Sequence, residues 1–363
     1  MKKKIDWGYL LSLTASVVLA LLVGAAIMAV TGHDPWAAYR ELLRGATGCR
    51  TLAEFFTALF TKRQFGNTIE YAMVLFLTGL ACAIGARVGI FNVGGEGQLY
   101  LGAIVSAYIG VKMGGSSPVL TVLVAALGAM AVGGLYAWIP GVLKVKLKVN
   151  EVITTIMMNT IAIYLCAYLS NGPWKTSNAN RISGTDPLGE ELLFDKLIRG
   201  SNLTTAVFAS AVIAFLIWYV MARTTKGYEM KLIGENPRFA KYSGLKVDRT
   251  IINTMVISGA ICGLVGMFEV YGLKGNYQDG ISNEYYFDGL LVAMIMRYKP
   301  VGIIFMSFAF AVLKVGAAGM ELNAGVPGEL YRIIQAVIIF FLAAESGVKQ
   351  ILASRVKGGA KHG

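Results

Sequence analysis

Asn92, Glu96 and Gln98 stand among glycines in the run Phe91-Asn92-Val93-Gly94-Gly95-Glu96-Gly97-Gln98, a polar island between two apolar stretches. Two amides and a carboxylate can exchange hydrogen bonds with a polar solute, and Gly94, Gly95 and Gly97 let the backbone approach it closely. The chemistry on offer is binding and passage, not bond making. Tyr71 to Ile84 before the island and Leu99 to Val111 after it are apolar enough to lie in lipid. Polar side chains and irregular backbone persist at membrane depth only inside protein or along a water-filled cavity. The island is therefore expected to line a pathway. The alternative is a plain surface turn between two spans, for which Gly and Asn suffice.

Bond-making constellations are missing. His33 lies in a loop and His362 in the tail, which is too little for a histidine metal site or a catalytic triad. Cys82, Cys166 and Cys262 fall inside apolar runs and Cys49 stands alone in a loop, as packing residues do. No Gly-x-x-x-x-Gly-Lys-Ser/Thr phosphate loop occurs, and Gly94 to Gly97 lacks both the lysine and the strand context. No metal, cofactor or enzymatic activity is expected of this chain. If transport is pumped, an ion gradient or a separate ATPase must drive it.

The elements that must position the island follow from composition. Of 363 residues, 56% are hydrophobic and 15% charged, with a mean hydropathy of +0.61, which excludes the soluble classes. At roughly 20 apolar residues per helical span, the chain is expected to be all-α, a polytopic transmembrane helical bundle of about ten spans forming one domain over residues 1–363. The spans are placed near 7–30, 67–90, the island's end to 113, 119–142, 150–170, 203–221, 250–273, 285–296, 301–320 and 330–344. Between the first two, Trp36, Tyr39, Leu42 and Leu43 recur at helical spacing and predict an amphipathic helix lying at the interface. Asn150 and Glu151 open the fifth span, either as its cap or as part of a gate. Glu269 and Lys314 are ionisable groups inside apolar runs that either pair or line the path. Trp138, Trp174, Trp218, Tyr219 and Tyr331 fall near span ends and suit an interfacial belt.

The net charge of +12 is split among short loops, which fits membrane topology and not a nucleic acid polymer as partner. With Lys2 to Lys4 inside, alternation puts Arg87, Lys144 to Lys148, Arg223 to Arg249, Arg297 with Lys299, and the basic tail on the same face. Both termini are then cytoplasmic and residues 171–202 form an external loop. The basic loop 223–249 holds two short helical pieces joined by Glu235-Asn236-Pro237, with Phe239, Tyr242 and Leu245 as an apolar stripe. It reads as a docking surface or as helices resting on anionic membrane lipid.

Three passages carry a resemblance: Gly89-Ile90-Phe91-Asn92-Val93-Gly94-Gly95-Glu96-Gly97-Gln98; Val149-Asn150-Glu151-Val152-Ile153-Thr154-Thr155-Ile156-Met157-Met158-Asn159; and Gly227 to Val247, with its Gly234-Glu235-Asn236-Pro237 core and Tyr242-Ser243-Gly244-Leu245-Lys246-Val247 end. Phe287-Asp288-Gly289-Leu290-Leu291-Val292-Ala293 adds a weaker fourth. In these the chain resembles permease subunits of bacterial ABC importers, in the superfamily that serves simple sugars, nucleosides and branched-chain amino acids, and within it the nucleoside branch. The similarity spans roughly residues 67 to 345. Two passages depart from it: Met296-Arg297-Tyr298-Lys299-Pro300 replaces a Gly-Arg and Asn-Pro pattern, and residues 31–66 have no counterpart.

The resemblance implies a type II importer-like fold with inverted repeats, in the bacterial cytoplasmic (inner) membrane. It implies binding-protein-dependent nucleoside transport, with simple sugars as the alternative cargo. Two permease subunits, alike or identical, would form the path between them. Cytoplasmic ATP-binding subunits would dock on a coupling segment including Lys231, Gly234, Glu235, Asn236, Pro237, Arg238, Phe239, Tyr242 and Gly244, and an external substrate-binding lipoprotein would deliver cargo. Asn92, Glu96, Gln98 and Asn159 would line or gate the path. An ion-coupled secondary carrier, built on paired carboxylates in discontinuous helices, is the reading from another class.

Overall fold

A computed structural model describes residues 7–49, 54, 61–177 and 183–342. Lys2 to Lys4, Arg50 and the basic tail beyond 342 lie outside the described residues. Thirteen α-helices follow in order among them: α1 (Trp7–Val30), α2 (Pro35–Thr47), α3 (Arg63–Arg87), α4 (Gly95–Lys112), α5 (Pro118–Leu147), α6 (Glu151–Asn171), α7 (Ala206–Arg223), α8 (Thr225–Glu235), α9 (Pro237–Tyr242), α10 (Val247–Glu269), α11 (Tyr285–Ile295), α12 (Pro300–Ala324) and α13 (Leu330–Leu342). A π-helical turn, Val270–Lys274, extends α10. Seven of these helices are long and apolar enough to cross a membrane. The other three expected spans are the shorter apolar helices α11 and α13 and the buried α4.

Packing divides the chain into two compact units, residues 69–309 and residues 1–68 with 310–363. In the larger unit α4 is the centre, with most of its residues buried among α5, α6 and α10. Small residues make that density possible. Ala125, Ala129, Gly133, Ala137 and Gly141 recur every fourth position along α5 and are all buried. Ala129, Gly133 and Ala137 meet Gly259 and Gly263 of α10, and Gly102 of α4 lies against Gly263, so the backbones approach with no long side chain between them. In lipid, where apolar side chains gain little by leaving their surroundings, such close backbone packing holds helices together.

In the smaller unit the expected amphipathic helix exists, but its stripe is used differently. Ala38, Leu42 and Ala46 of α2 are buried, with Leu42 and Gly45 against Gly316 and Gly319 of α12. Trp36 and Leu43 point outward, 78% and 56% exposed. The interfacial helix of the sequence reading is thus a packed one: glycines facing each other bring two helices closer than lipid could come. Tyr39 also donates from its hydroxyl to the Leu21 carbonyl of α1, at 2.5 Å. In this unit the Lys314 ammonium stands 6.0 Å from the Tyr331 ring centroid.

Between α6 and α7 the described residues of 172–205 fold against the end of α10. Thr185 and Tyr277, Leu188 and Gly275, and Phe194 and Tyr271 are joined by backbone hydrogen bonds, over buried Leu188, Leu192 and Ile198. Asp279 then ties down the end of α6, accepting from Ser170 at 2.7 Å and Asn171 at 2.8 Å.

Candidate functional site

The island begins where α3 stops. Gly89, at φ +78°, turns the chain out of α3 in a conformation that L side chains rarely adopt. Residues 90–94 are irregular and α4 starts at Gly95. A second irregular segment, 275–284, carries the fully buried Tyr277 and Ile281 and leads into α11. That helix starts beside the body of α3, not its end: the Tyr285 ring meets Tyr71 at 5.5 Å, and Gly289 lies against Thr78 and Gly79. Two helices therefore begin inside the bundle. Each brings backbone N–H groups that no preceding turn can satisfy.

The polar residues singled out from sequence satisfy them. Glu96, in the first turn of α4, reaches across to α11, where its Oε2 accepts the Tyr286 N–H at 3.0 Å. Ser282 accepts the Tyr285 N–H at 3.2 Å. Asn159 of α6 does the same for α4, accepting the Gly97 N–H at 2.8 Å while its Nδ2 donates to the Val93 carbonyl at 2.9 Å. Thr155, one turn earlier, accepts the Val93 N–H at 3.2 Å.

Asn92 ties the island to α10. Its Nδ2 donates to Gln98 Oε1 and to Ser258 Oγ, both at 2.9 Å, and its Oδ1 accepts from Gln98 Nε2 at 3.2 Å and from the Gly94 N–H at 3.1 Å. The Ser258 hydroxyl donates in turn to the Ala81 carbonyl at 2.7 Å, and the Tyr286 hydroxyl donates to the Asn92 carbonyl. All four predicted path residues thus converge on one junction and are buried there: Asn92 0%, Glu96 4%, Gln98 1% and Asn159 5% exposed. The glycines belong to the same junction. Gly95 packs against the Tyr286 ring and Gly97 against Asn159 and Ala162, so any side chain at either would displace the partner. Phe91 is the island residue left exposed, its ring 6.1 Å from that of Tyr298.

The predicted coupling segment forms as two capped helices. Thr224 accepts the Gly227 N–H at 3.2 Å to start α8, and Asn236 accepts the Phe239 N–H at 3.0 Å to start α9, with Pro237 in its first turn. Ile233 and Ala240 point inward and are fully buried, while Phe239 and Tyr242 are 56% and 92% exposed. Lys231 pairs with Glu235 at 3.4 Å, and Arg238, Lys241 and Gly244 are exposed. Gly234 is pressed against the Arg87 carbonyl, and a Cβ there would lie 3.3 Å from the Gly89 N. Arg87 also donates to the Met221 carbonyl at 3.3 Å. Helix α8 therefore touches the residues from which the island departs.

At the start of α6, Asn150 accepts the Val152 N–H at 2.9 Å as its cap, and Glu151 forms a 2.6 Å ion pair with Lys144. Both are occupied at the helix start. Glu269 keeps company with Glu70 and Lys274 beside a cleft lined also by Asn202, Thr204 and Ser210. Sequence reading passed over Glu70, although a carboxylate inside the apolar run of α3 was a usable signal. It also passed over Thr155, Ser258 and Tyr286, whose residue types carry none.

The family model described as "Branched-chain amino acid transport system / permease component" matches residues 64–343. The guanosine ABC transporter permease protein NupP of Bacillus subtilis is 32% identical over 97% of this chain and 98% of its own length. The nucleoside ABC transporter permease protein NupB of Lactococcus lactis is 29% identical over 93% of this chain and 91% of its own. The glucose ABC transporter permease protein TsgB13 of Haloferax volcanii is 31% identical, over 92% and 87%.

Proposed function

Because the chain belongs to the branched-chain amino acid transport system permease family, we propose that it is the membrane subunit of an ATP-driven importer and that its cargo is a nucleoside. The observation that carries the cargo is the likeness to a guanosine permease along 97% of the chain. A sugar is the second reading, favoured by the 31% identity to a glucose permease. Both cargoes present a ring of hydroxyls, so the choice between them lies in the base.

In this reading the membrane subunit supplies no chemistry of its own. ATP-binding subunits dock on α8 and α9, where Phe239 and Tyr242 offer apolar contact and Lys231, Arg238 and Lys241 offer positive charge. A push on that segment reaches the Arg87 to Gly89 turn through Gly234, which has no side chain to cushion it. From there it enters the island, and Asn92, Glu96, Gln98 and Asn159 pass it to α4, α6, α10 and α11 at once. These four residues serve the path as its hinge from behind, with Phe91 as the island's forward face. A second permease subunit completes the path, and an external binding protein delivers cargo to the face carrying residues 171–202. Both termini lie with α8 and α9 on the cytoplasmic side, by the bias of the basic loops.

The test is uptake in a strain lacking its own nucleoside importers, with the chain expressed beside its ATP-binding and binding-protein partners. Labelled guanosine should accumulate and unlabelled glucose should not compete. Uptake that survives ATP depletion while the ion gradient is held would return the protein to the ion-coupled class.

A further inference from the structure

The helix ends beneath the bundle enclose a cleft that the transport scheme does not use. It lies between the end of α7, the first turns of α8, and the beginning of α10, has a volume of about 630 Å³ and is open to the outside. Its mouth is basic. Lys246 and Arg249 are exposed there and neither forms an ion pair among the described residues, while Lys226 is neutralised by Glu229 at 2.9 Å. Asn253 and Thr250 add polar side chains behind the mouth. Further along α7 and α10 the wall turns apolar at Val220 and Ile257, which are 41% and 49% exposed on two helices long and apolar enough to span a membrane.

The spacing sets the class of ligand. From Lys246 to Ile257 the chain climbs about 16 Å at 1.5 Å per residue, so the lining passes from two cations to bare hydrocarbon over the distance from a lipid headgroup to the upper acyl chain. A free anion would be served by the mouth alone, and an apolar solute by the wall alone. A molecule with a phosphate at one end and an alkyl chain at the other fits both. Close approach of the helices shapes the cleft: Gly227 packs against the carbonyls of Val220 and Met221, where any side chain would push α8 away from α7.

We propose that this cleft is a binding site for an anionic phospholipid of the inner leaflet, its phosphate held by Lys246 and Arg249 and one acyl chain laid along Val220 and Ile257. The site rests on the reading that α8 and α9 face the cytoplasm. It gives the docking segment a lipid support: α8 forms one wall, so an occupied cleft holds the helix at the height at which an ATPase meets it.

The test is native mass spectrometry of the full transporter complex released from nanodiscs holding equal parts phosphatidylglycerol and phosphatidylcholine. Wild type should retain phosphatidylglycerol preferentially. Lys246→Glu with Arg249→Glu should cut that retention by at least about thirtyfold, which the loss of two headgroup-facing cations alone would give. Lys246→Gln with Arg249→Gln should give a smaller cut, and Ile257→Trp should lower retention with the charges intact. Equal retention of both lipids by wild type, or retention unmoved in all three variants, overturns the site. Displacement of the lipid by millimolar inorganic phosphate overturns the lipid in favour of a free anion. Co-purification of the ATP-binding subunits, read from the same spectra, reports on docking separately: its loss from wild type would sink the importer scheme while leaving the lipid result standing.

Discussion

The carboxylate of Glu96, which opens α4, accepts the N–H of Tyr286, which opens α11, at 3.0 Å. Each helix begins inside the bundle, where water cannot complete its first turn, and 190 residues of chain separate the two groups. A carboxylate there is costly in isolation. It persists because a helix start offers it positive potential and a donor, and because the donor would otherwise go unpaired.

Removing that acceptor should cost stability. Glu96→Ala leaves the Tyr286 N–H buried and alone, a penalty of about 1–3 kcal/mol. Glu96→Gln keeps an oxygen in place and should cost less. Thermal unfolding of the purified protein in detergent is expected to rank wild type, Gln and Ala in that order. A Gln variant that unfolds normally yet does not transport would show that the charge, and not the cap, is what matters.

Gly263 tests the small-residue seam. It lies among Ala129 and Gly133 of α5 and Gly102 of α4, with the Gly133 Cα 3.3 Å from where a Cβ would stand. Gly263→Leu should force α4, α5 and α10 apart and cost at least about 1–3 kcal/mol, the usual penalty of overpacking. Gly115→Ala is the control, since nothing lies within 4 Å of its Cβ position. A melting curve for Gly263→Leu that overlays the control would refute the seam.

The contact of Gly234 with Arg87 predicts a separation of docking from transport. Gly234→Leu should push α8 off the Arg87 to Gly89 turn while leaving the docking side chains themselves, Phe239, Tyr242 and the basic residues, unaltered. ATP-binding subunits should still co-purify, and uptake should fall tenfold or more. Full uptake by that variant would mean that the island receives no push through this contact.

What was legible in the sequence follows the range of the forces involved. The long helices show as apolar runs, because lipid imposes its demand on each residue separately. The cap of α6 shows as well, because Asn150 acts within two residues, and Pro237 marks the start of α9; the caps Thr224 and Asn236 were not read, although they too act within three residues. The island stood out because Asn92, Glu96 and Gln98 are costly at membrane depth, so their importance was visible while their partners were not. Ser258 and Tyr286 are ordinary residues until the fold brings them to Asn92, and α2 carried an amphipathic stripe that suited lipid as well as the glycines of α12. The small residues at every fourth position from Ala125 to Gly141 were not read as a seam, because nothing in that run names the helix they face.

The last prediction concerns docking itself. Reversing Lys231, Arg238 and Lys241 together should weaken association with the ATP-binding subunits without unfolding the segment. Only one of the three has a charged partner on its own helix, Lys231 with Glu235 at 3.4 Å, and an exposed i,i+4 pair of this kind is worth about 0.3–0.5 kcal/mol. The anchors of the segment are apolar and untouched: Ile233 and Ala240 are fully buried, and the Thr224 and Asn236 caps remain. Charge reversal therefore acts on encounter and complementarity, not on the fold. Pull-down at low and high salt reads it out, since a charge-steered contact weakens in wild type as salt rises and the reversed variant should start weak and change little. Association equal to wild type at low salt would leave the apolar pair, Phe239 and Tyr242, as the contact that holds the ATPase.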